Sequence, residues 1–357
     1  MSRHIDTRVV HAGLEPDPTY GSVIPPVHQT STFVQRAPGE IVEDYDYARS
    51  ANPTRAALER ALGELEGGHA TAFGSGMAAT HAVITAALDA GDHLVLPVDL
   101  YGGTYRLVDK ILTRFGLAYD LVDQRDLDAL GAAIRPETRM VWVETPTNPL
   151  LNVIDIPAVV EAARDATVVV DNTFATPIVQ RPLELGATVV VHSTTKYLGG
   201  HSDVVGGAAI ARDAELQERI RCVQNSVGAV PGPLDCFLVH RGLRTLALRV
   251  ERHTANGRAV SEHLAGAPGV DDVRWPGFGG MVSFRHPDAS AVAARTKIFS
   301  LAESLGGVES LIEVPHAMTH QSVEDSAAAV PPDLVRLSCG IEAAEDLVAD
   351  LEQALTG

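Results

Sequence analysis

Chemistry that needs a lysine amine has few places to go in this chain. Among its 357 residues, 28 are Lys or Arg, and only Lys110, Lys196 and Lys297 are lysines. Lys196 stands in Val189-Val-Val-His-Ser-Thr-Thr-Lys-Tyr-Leu-Gly-Gly-His-Ser-Asp203. The apolar run reads as a buried strand ending near His192, and Ser193, Thr194 and Thr195 precede the lysine. Clustered hydroxyls at a strand end suit phosphate oxygens, and an amine beside them suits an aldehyde carbon. Gly199 and Gly200 let the backbone turn tightly. The plainer alternative is a polar loop with a surface lysine, since hydroxyl-rich loops are common.

Three other stretches bear on that choice. Val168-Val-Val-Asp171 ends a second apolar run on a carboxylate. Such a carboxylate is costly unless it meets a cation, and a protonated pyridine nitrogen is one. Capping a helix would be its structural use. Phe73-Gly-Ser-Gly-Met-Ala78 is a small-residue turn entering an apolar helix, whose free N–H groups bind phosphate. Close packing of helix on sheet would use the same glycines. Tyr101, in Leu100-Tyr-Gly-Gly-Thr104, follows a strand and can stack on a flat ring or sit half-buried in a core.

The elements that position these residues follow from hydrophobic period. Residues 1–50 read as an extended arm, because Pro16, Pro18, Pro25, Pro26 and Pro38 interrupt any helix. Asn52 then caps a helix with Pro53 in its first turn, Leu58, Ala61, Leu62 and Leu65 on one face, and Gly67-Gly68 at its end. Apolar runs at 93–97, 140–143, 167–170 and 188–191 read as buried strands, with helical stretches such as 156–164 between them. That alternation implies a mainly parallel sheet with crossovers, whose site forms at the carboxyl ends of the strands. From about residue 240 the texture becomes helix, short strands, helix. Leu347, Val348, Leu351 and Leu355 share one face of the last helix. The expected division is an arm over 1–50, a large domain over 51–240 and a small α+β domain over 241–357.

Composition narrows the partners. A net charge of -18 argues against nucleic acid or an anionic membrane surface. A hydrophobic fraction of 45% suits a well-buried interior. Cys222, Cys236 and Cys339 form no Cys-x-x-Cys pair, which fits a reducing compartment and offers no zinc site. The start lacks an apolar signal region, and the uncharged stretch 67–88 is too rich in Gly, Ser, Thr and His for a span. A cytoplasmic enzyme without a metal is expected.

Several stretches together resemble the Cys/Met-metabolism family of pyridoxal-phosphate enzymes, which includes cystathionine γ-synthase and cystathionine γ-lyase. The markers are Tyr45-Asp-Tyr-Ala-Arg-Ser-Ala-Asn-Pro-Thr54, Glu144-Thr-Pro-Thr-Asn-Pro149, Val170-Asp-Asn-Thr-Phe174, Ser193 to Asp203, Ala302-Glu-Ser-Leu-Gly-Gly-Val-Glu-Ser310 and Arg336-Leu-Ser-Cys-Gly340. They span nearly the whole chain. The resemblance implies the type I, aspartate aminotransferase-like fold. Its large domain carries a mainly parallel sheet of the seven-stranded type, and its C-terminal domain is small and α+β. The family's usual assembly is a homotetramer made of two dimers.

By that resemblance Lys196 holds pyridoxal 5'-phosphate as an imine, Asp171 pairs with the ring nitrogen and Tyr101 stacks on the ring. Gly76, Met77, Ser193 and Thr195 would hold the phosphate. Tyr47 and Arg49 look like the pair that reaches the phosphate of the neighbouring subunit. Arg336 looks like the clamp for the substrate carboxylate, a bidentate role that suits arginine. Asn148, Ser304, Thr319 and Arg106 match further substrate positions. Asp46 and Glu303 match acidic positions at the distal end, where the amine of a cystathionine arm would sit.

Two departures stand out. The segment between Pro276 and Gly277 is nearly absent, which implies a trimmed surface of the small domain. Gly103 stands where methionine γ-lyases carry a cysteine, which lowers that reading. The expected reaction is γ-elimination of L-cystathionine to cysteine, 2-oxobutanoate and ammonia. The alternative is γ-replacement on O-succinyl- or O-acetyl-homoserine by cysteine, with methionine γ-lyase and O-acylhomoserine sulfhydrylase activities behind them. A transaminase on the same fold and a cofactor-binding protein with a dead site are the rivals from other classes. The intact Lys196, Asp171, Tyr101 and Arg336 speak against the dead site.

Overall fold

The computed structural model describes residues 3–319 and 329–356. Seven strands form the first sheet: β1 His69–Phe73, β2 His93–Pro97, β3 Ala118–Val122, β4 Thr138–Glu144, β5 Thr167–Asp171, β6 Val189–Ser193 and β7 Gly207–Ala211. Their order is β1-β7-β6-β5-β4-β2-β3. Only β7 runs antiparallel to its neighbours. Successive residues of the central strands feed opposite faces. Val189 and Val191 join one apolar cluster while Val190 joins another, and Met140 and Trp142 alternate likewise with Val141 and Val143. A strand covered on both faces is apolar throughout, which is why these runs are continuous in the sequence.

The helix Pro53–Glu66 shows how local sequence sets an element. The Asn52 side chain accepts from the Thr54 and Arg55 N–H groups, and Pro53 occupies the first turn. Gly67 ends the helix at φ 86°, a left-handed conformation that suits a residue without Cβ. Leu58, Ala61, Leu62 and Leu65 are buried.

The second sheet contains β8 Asp271–Arg274, β9 Met281–Arg285, β10 Ser300–Leu301, β11 Leu311–Glu313 and β12 Leu334–Ser338, in the order β10-β11-β12-β9-β8. The long helix Leu246–Leu264 and the last helix Ala344–Thr356 close its core around Val282, Phe284, Val335, Leu337 and Leu351. The short link between β8 and β9 holds itself. Trp275 Nε1 donates to Gly279 O at 3.0 Å, and the Gly279 N–H donates to Thr254 Oγ1 at 2.9 Å.

The arm departs from its expectation in one place. Ile5–His11 is helical, with Val9 buried in the same cluster as Leu58 and Leu62. The proline series begins only at Pro16, so it does not reach this turn. Among the described residues, no helix is long and apolar enough to cross a membrane, and no group of three or more His, Cys, Asp or Glu could hold a metal ion.

Candidate active site

The carboxyl ends of β4, β5 and β6, the turn after β1 and the segment after β2 open on one cavity of about 330 Å³. Gly76, Met77, Tyr101, Asn148, Asp171, Ser193, Thr195 and Lys196 form its large-sheet wall. Arg336 on β12, Glu303 and Ser304 just after β10, and Thr319 after the short helix Pro315–Met318 face them from the other side. Lys196 is the lysine of this cavity. Lys110 is exposed and paired with Asp109 at 2.6 Å, and Lys297 is exposed elsewhere.

Lys196 Nζ donates to Ser304 Oγ at 2.7 Å. Burial, and then the charge of Arg336, push its pKa down to about 8. Ser304 sits at φ 104°, a conformation costly for a residue with a Cβ. Its carbonyl is held in turn by Arg336 Nη2 at 3.0 Å. Arg336 is buried on β12, where Nη1 donates to Asn148 Oδ1 at 2.8 Å and Nη2 meets Glu313 Oε2 at 3.0 Å.

Asp171 ends β5. Burial raises its pKa, and the Thr173 hydroxyl and N–H, both on Asp171 Oδ1, work against that rise. A carboxylate held in this way is matched to a cation arriving from the cavity. At the other end, the helix Gly76–Ala87 points its first turn at Ser193 and Thr195. The first N–H groups of a helix have no carbonyl within it, and Ser75 Oγ accepts that of Ala78 at 3.1 Å. A Cβ on Gly76 would come within 2.9 Å of Ser193 Cβ, so a side chain there would fill this cradle. A Cβ on Gly103 would strike the Tyr101 ring. The donor set of hydroxyls and helix N–H groups, the carboxylate at the opposite end and the single amine fit pyridoxal 5'-phosphate in kind and in placement.

Four expected residues lie outside the cavity walls. Asp46, Tyr47 and Arg49 sit on the arm. Asp46 Oδ1 accepts the Tyr47 N–H at 2.6 Å, and Arg49 Nη1 donates to Asn225 O at 2.7 Å. Tyr47 leaves 48% of its surface exposed. Arg106 ends the short helix Gly102–Arg106, where its charge opposes the rise that burial gives the Tyr101 pKa.

The sequence reading assigned no role to two buried carboxylates beside the cavity. Glu144 ends β4 and accepts the Tyr101 N–H on Oε2 and the Asn148 N–H on Oε1, each at 2.9 Å. Burial, and then the charge of Asp171, hold its pKa well above the usual range. Glu313 ends β11, pairs with Arg336 and accepts from Thr319 Oγ1 at 3.0 Å. The signal was present in both cases. Val141-Trp-Val-Glu144 and Leu311-Ile-Glu313 end apolar runs on an acid, the pattern already read at Asp171.

Residues 6–356 match the family model described as Cys/Met metabolism PLP-dependent enzyme. The chain is 54% identical to a protein of Mycobacterium tuberculosis named cystathionine gamma-synthase, over 98% of this chain and 96% of that one. It is 48% identical to a cystathionine beta-lyase of Lactococcus lactis, over 98% of each. The solved structure of a cystathionine gamma-lyase from Lactobacillus plantarum superposes with a TM-score of 0.95, at 40% identity, covering 99% of this chain and 98% of that one.

Proposed function

The chain belongs to the Cys/Met metabolism PLP-dependent enzymes, and from that premise we propose that it works at the γ-carbon of an amino acid, with cystathionine as the thioether made or broken. The observation that carries this reading is the single buried amine, Lys196, between Asp171 on one wall and Arg336 on the other. Formation of cystathionine from an activated homoserine and cysteine is the first reading, supported by the 54% identity to a gamma-synthase over 98% of the chain. Cleavage at Cγ–S is the second, supported by the likeness to a gamma-lyase structure and by Glu303 in the cavity wall.

Pyridoxal 5'-phosphate, when bound, supplies an aldehyde for the amine and a ring that draws electrons from the α-carbon. Ser193, Thr195 and the first turn at Gly76 and Met77 would hold its phosphate, Asp171 would keep its ring nitrogen protonated, and Tyr101 would stack on its face. Arg336 binds the substrate carboxylate through its fork of N–H donors and so orients the α-carbon toward Lys196. With a pKa of about 8, Lys196 Nζ can take a proton from the α-carbon and give it up again near neutral pH. Ser304 Oγ holds that amine in place between transfers. After the γ-substituent leaves as a thiol or acid, addition of the cysteine thiol at Cγ gives cystathionine, whereas a proton added at Cγ and hydrolysis at the α-carbon give 2-oxobutanoate and ammonia.

Tyr47 and Arg49 serve the site of a neighbouring subunit in this reading, within a homotetramer built as a dimer of dimers. Mixing Arg49→Ala and Lys196→Ala proteins under subunit exchange then yields some dimers with one intact site, and activity rises above either parent. The reaction itself is tested by three assays on purified protein. These measure cystathionine formed from O-succinyl- or O-acetyl-homoserine plus cysteine, 2-oxobutanoate released from cystathionine, and pyruvate released from cystathionine. Formation as the fastest rate supports the first reading and 2-oxobutanoate release the second. Pyruvate as the main product overturns the γ-carbon assignment.

A further inference from the structure

Glu144 is 4% exposed and lines the cavity, yet it offers neither of its oxygens to a side chain there. Oε2 accepts the N–H of Tyr101, and Oε1 accepts the N–H of Asn148, each at 2.9 Å. These two residues lie on separate segments, one after β2 and the other after β4. Asn148 Oδ1 then accepts from Arg336 Nη1 at 2.8 Å, which carries the link across to the second sheet. A single buried carboxylate therefore fixes the spacing of two backbone positions that share no direct bond. Two backbone N–H groups held by the two oxygens of one buried, rigid side chain leave the segments they belong to little play.

We propose that Glu144 is a positioning residue that aligns Tyr101 over the cofactor face and, through Asn148, the Arg336 clamp. This rests on the roles given above to Tyr101 and Arg336. Glu144 acts through those residues and is not itself a catalytic one. A strand-end anchor with no functional reach is the competing account, and it predicts a loss of stability with normal kinetics in whatever folds.

The two accounts part on substitutions that keep the shape. In Glu144→Gln one oxygen becomes an NH₂ group, which cannot accept, so one of the two ties is lost. Glu144→Asp keeps the carboxyl group and both oxygens but draws them back by one methylene. Each variant is loaded with pyridoxal 5'-phosphate, and kcat, KM and the visible circular dichroism of the bound cofactor are measured. Both are expected to lose about tenfold in kcat/KM, with altered circular dichroism at unchanged cofactor content. Asn148→Ala is expected to raise KM alone and to add less than about threefold in the Glu144→Gln background, because the two act on one path. Wild-type kinetics in Glu144→Gln, full activity in Glu144→Asp, or losses that multiply in the double variant would each overturn the proposal. An Arg336→Ala control keeps the two readings apart. If it leaves KM unchanged, the clamp reading fails, and Glu144 is judged on kcat and circular dichroism through Tyr101 alone.

Discussion

The two walls of the cavity are built by different means. On the large-sheet side Asp171 and Ser193 end parallel strands, Lys196 follows β6 within three residues, and Gly76 opens a helix of 12 residues. Asp171 and Ser193 stand in a continuous ladder of backbone hydrogen bonds, and Gly76 and Lys196 each follow a strand of that ladder by three residues. On the other side Ser304 lies in an irregular loop at φ 104°, Glu303 is exposed at the rim, and Arg336 is the one contributor anchored in a strand interior. That wall is held by side chains, with Arg336 reaching Asn148, Ser304 O and Glu313 together. A group common to every turnover needs the first kind of support. Selection among substrates tolerates the second kind, where one side chain changes without disturbing a ladder.

The sharpest way to break this division is at Lys196. Lys196→Ala is expected to lower kcat by at least about 10³-fold, since both the attachment point and the proton carrier are removed. In the unaltered protein, borohydride reduction and peptide mapping should place the phosphopyridoxyl label on Lys196. A label on Lys110 or Lys297 contradicts the assignment of the large-sheet wall.

Asp171→Asn is next. An amide cannot hold the ring nitrogen protonated, so a loss of roughly 10²–10³-fold in kcat is expected with the cofactor still bound. Near-normal turnover in the loaded variant would remove the electron-sink role. On the opposite wall, Arg336→Ala should act mainly on KM, raising it about 30- to 100-fold, because a buried charged hydrogen-bond partner of the substrate is lost. It should also destabilise the fold, since Glu313 is left buried without its cation. If kcat falls and KM does not, Arg336 belongs with the reaction and not with selection.

The pH dependence of Lys196 sharpens the same contrast. Its pKa is pushed down, so the neutral, nucleophilic amine becomes common as pH rises through about 8. Apoprotein should therefore take up pyridoxal 5'-phosphate, followed by visible absorbance, at a rate that climbs to a plateau just above pH 8. Below that the rate should fall about tenfold per pH unit. A rate still climbing toward pH 10.5 would mean an amine that the cavity does not perturb.

The sequence was most informative where backbone regularity and chemistry coincide. Val168-Val-Val-Asp171 and Val189 to Ser193 gave both the strands and the residues at their ends, because a strand buried on both faces leaves a continuous apolar run whose last polar residue is conspicuous. The helix Pro53–Glu66 was readable from its caps together with the apolar spacing of Leu58, Ala61, Leu62 and Leu65. The helix Ile5–His11 was not, since seven residues give less than two turns of period and Val9 is held by tertiary packing. Glu144 and Glu313 carried a readable signal without a readable purpose. Their partners are the N–H groups of Tyr101 and Asn148 and the guanidinium of Arg336, and the Tyr101 and Arg336 groups come from distant segments. Ser304 was reached through the family resemblance, and the conformation that aims it at Lys196 has no counterpart in residue type.

Glu303 is where the smallest effect is expected, and its size follows from exposure. Cystathionine ends in an ammonium and a carboxylate, while methionine ends in a methyl group. An acid in the cavity wall rewards the ammonium by Coulomb attraction and gains nothing from the methyl. Glu303 is exposed, so water and salt screen that attraction, and an exposed pair contributes at most about fivefold. Glu303→Ala should therefore narrow the kcat/KM preference for cystathionine over methionine by about fivefold, leaving turnover of methionine unchanged. The wild-type preference should also shrink as salt is added. If the preference survives Glu303→Ala intact and ignores salt, the distal end is read by something other than this acid. Asp46, half-buried on the arm and outside the cavity of its own chain, is then the next residue to change, in a mixed dimer where only one subunit carries the substitution.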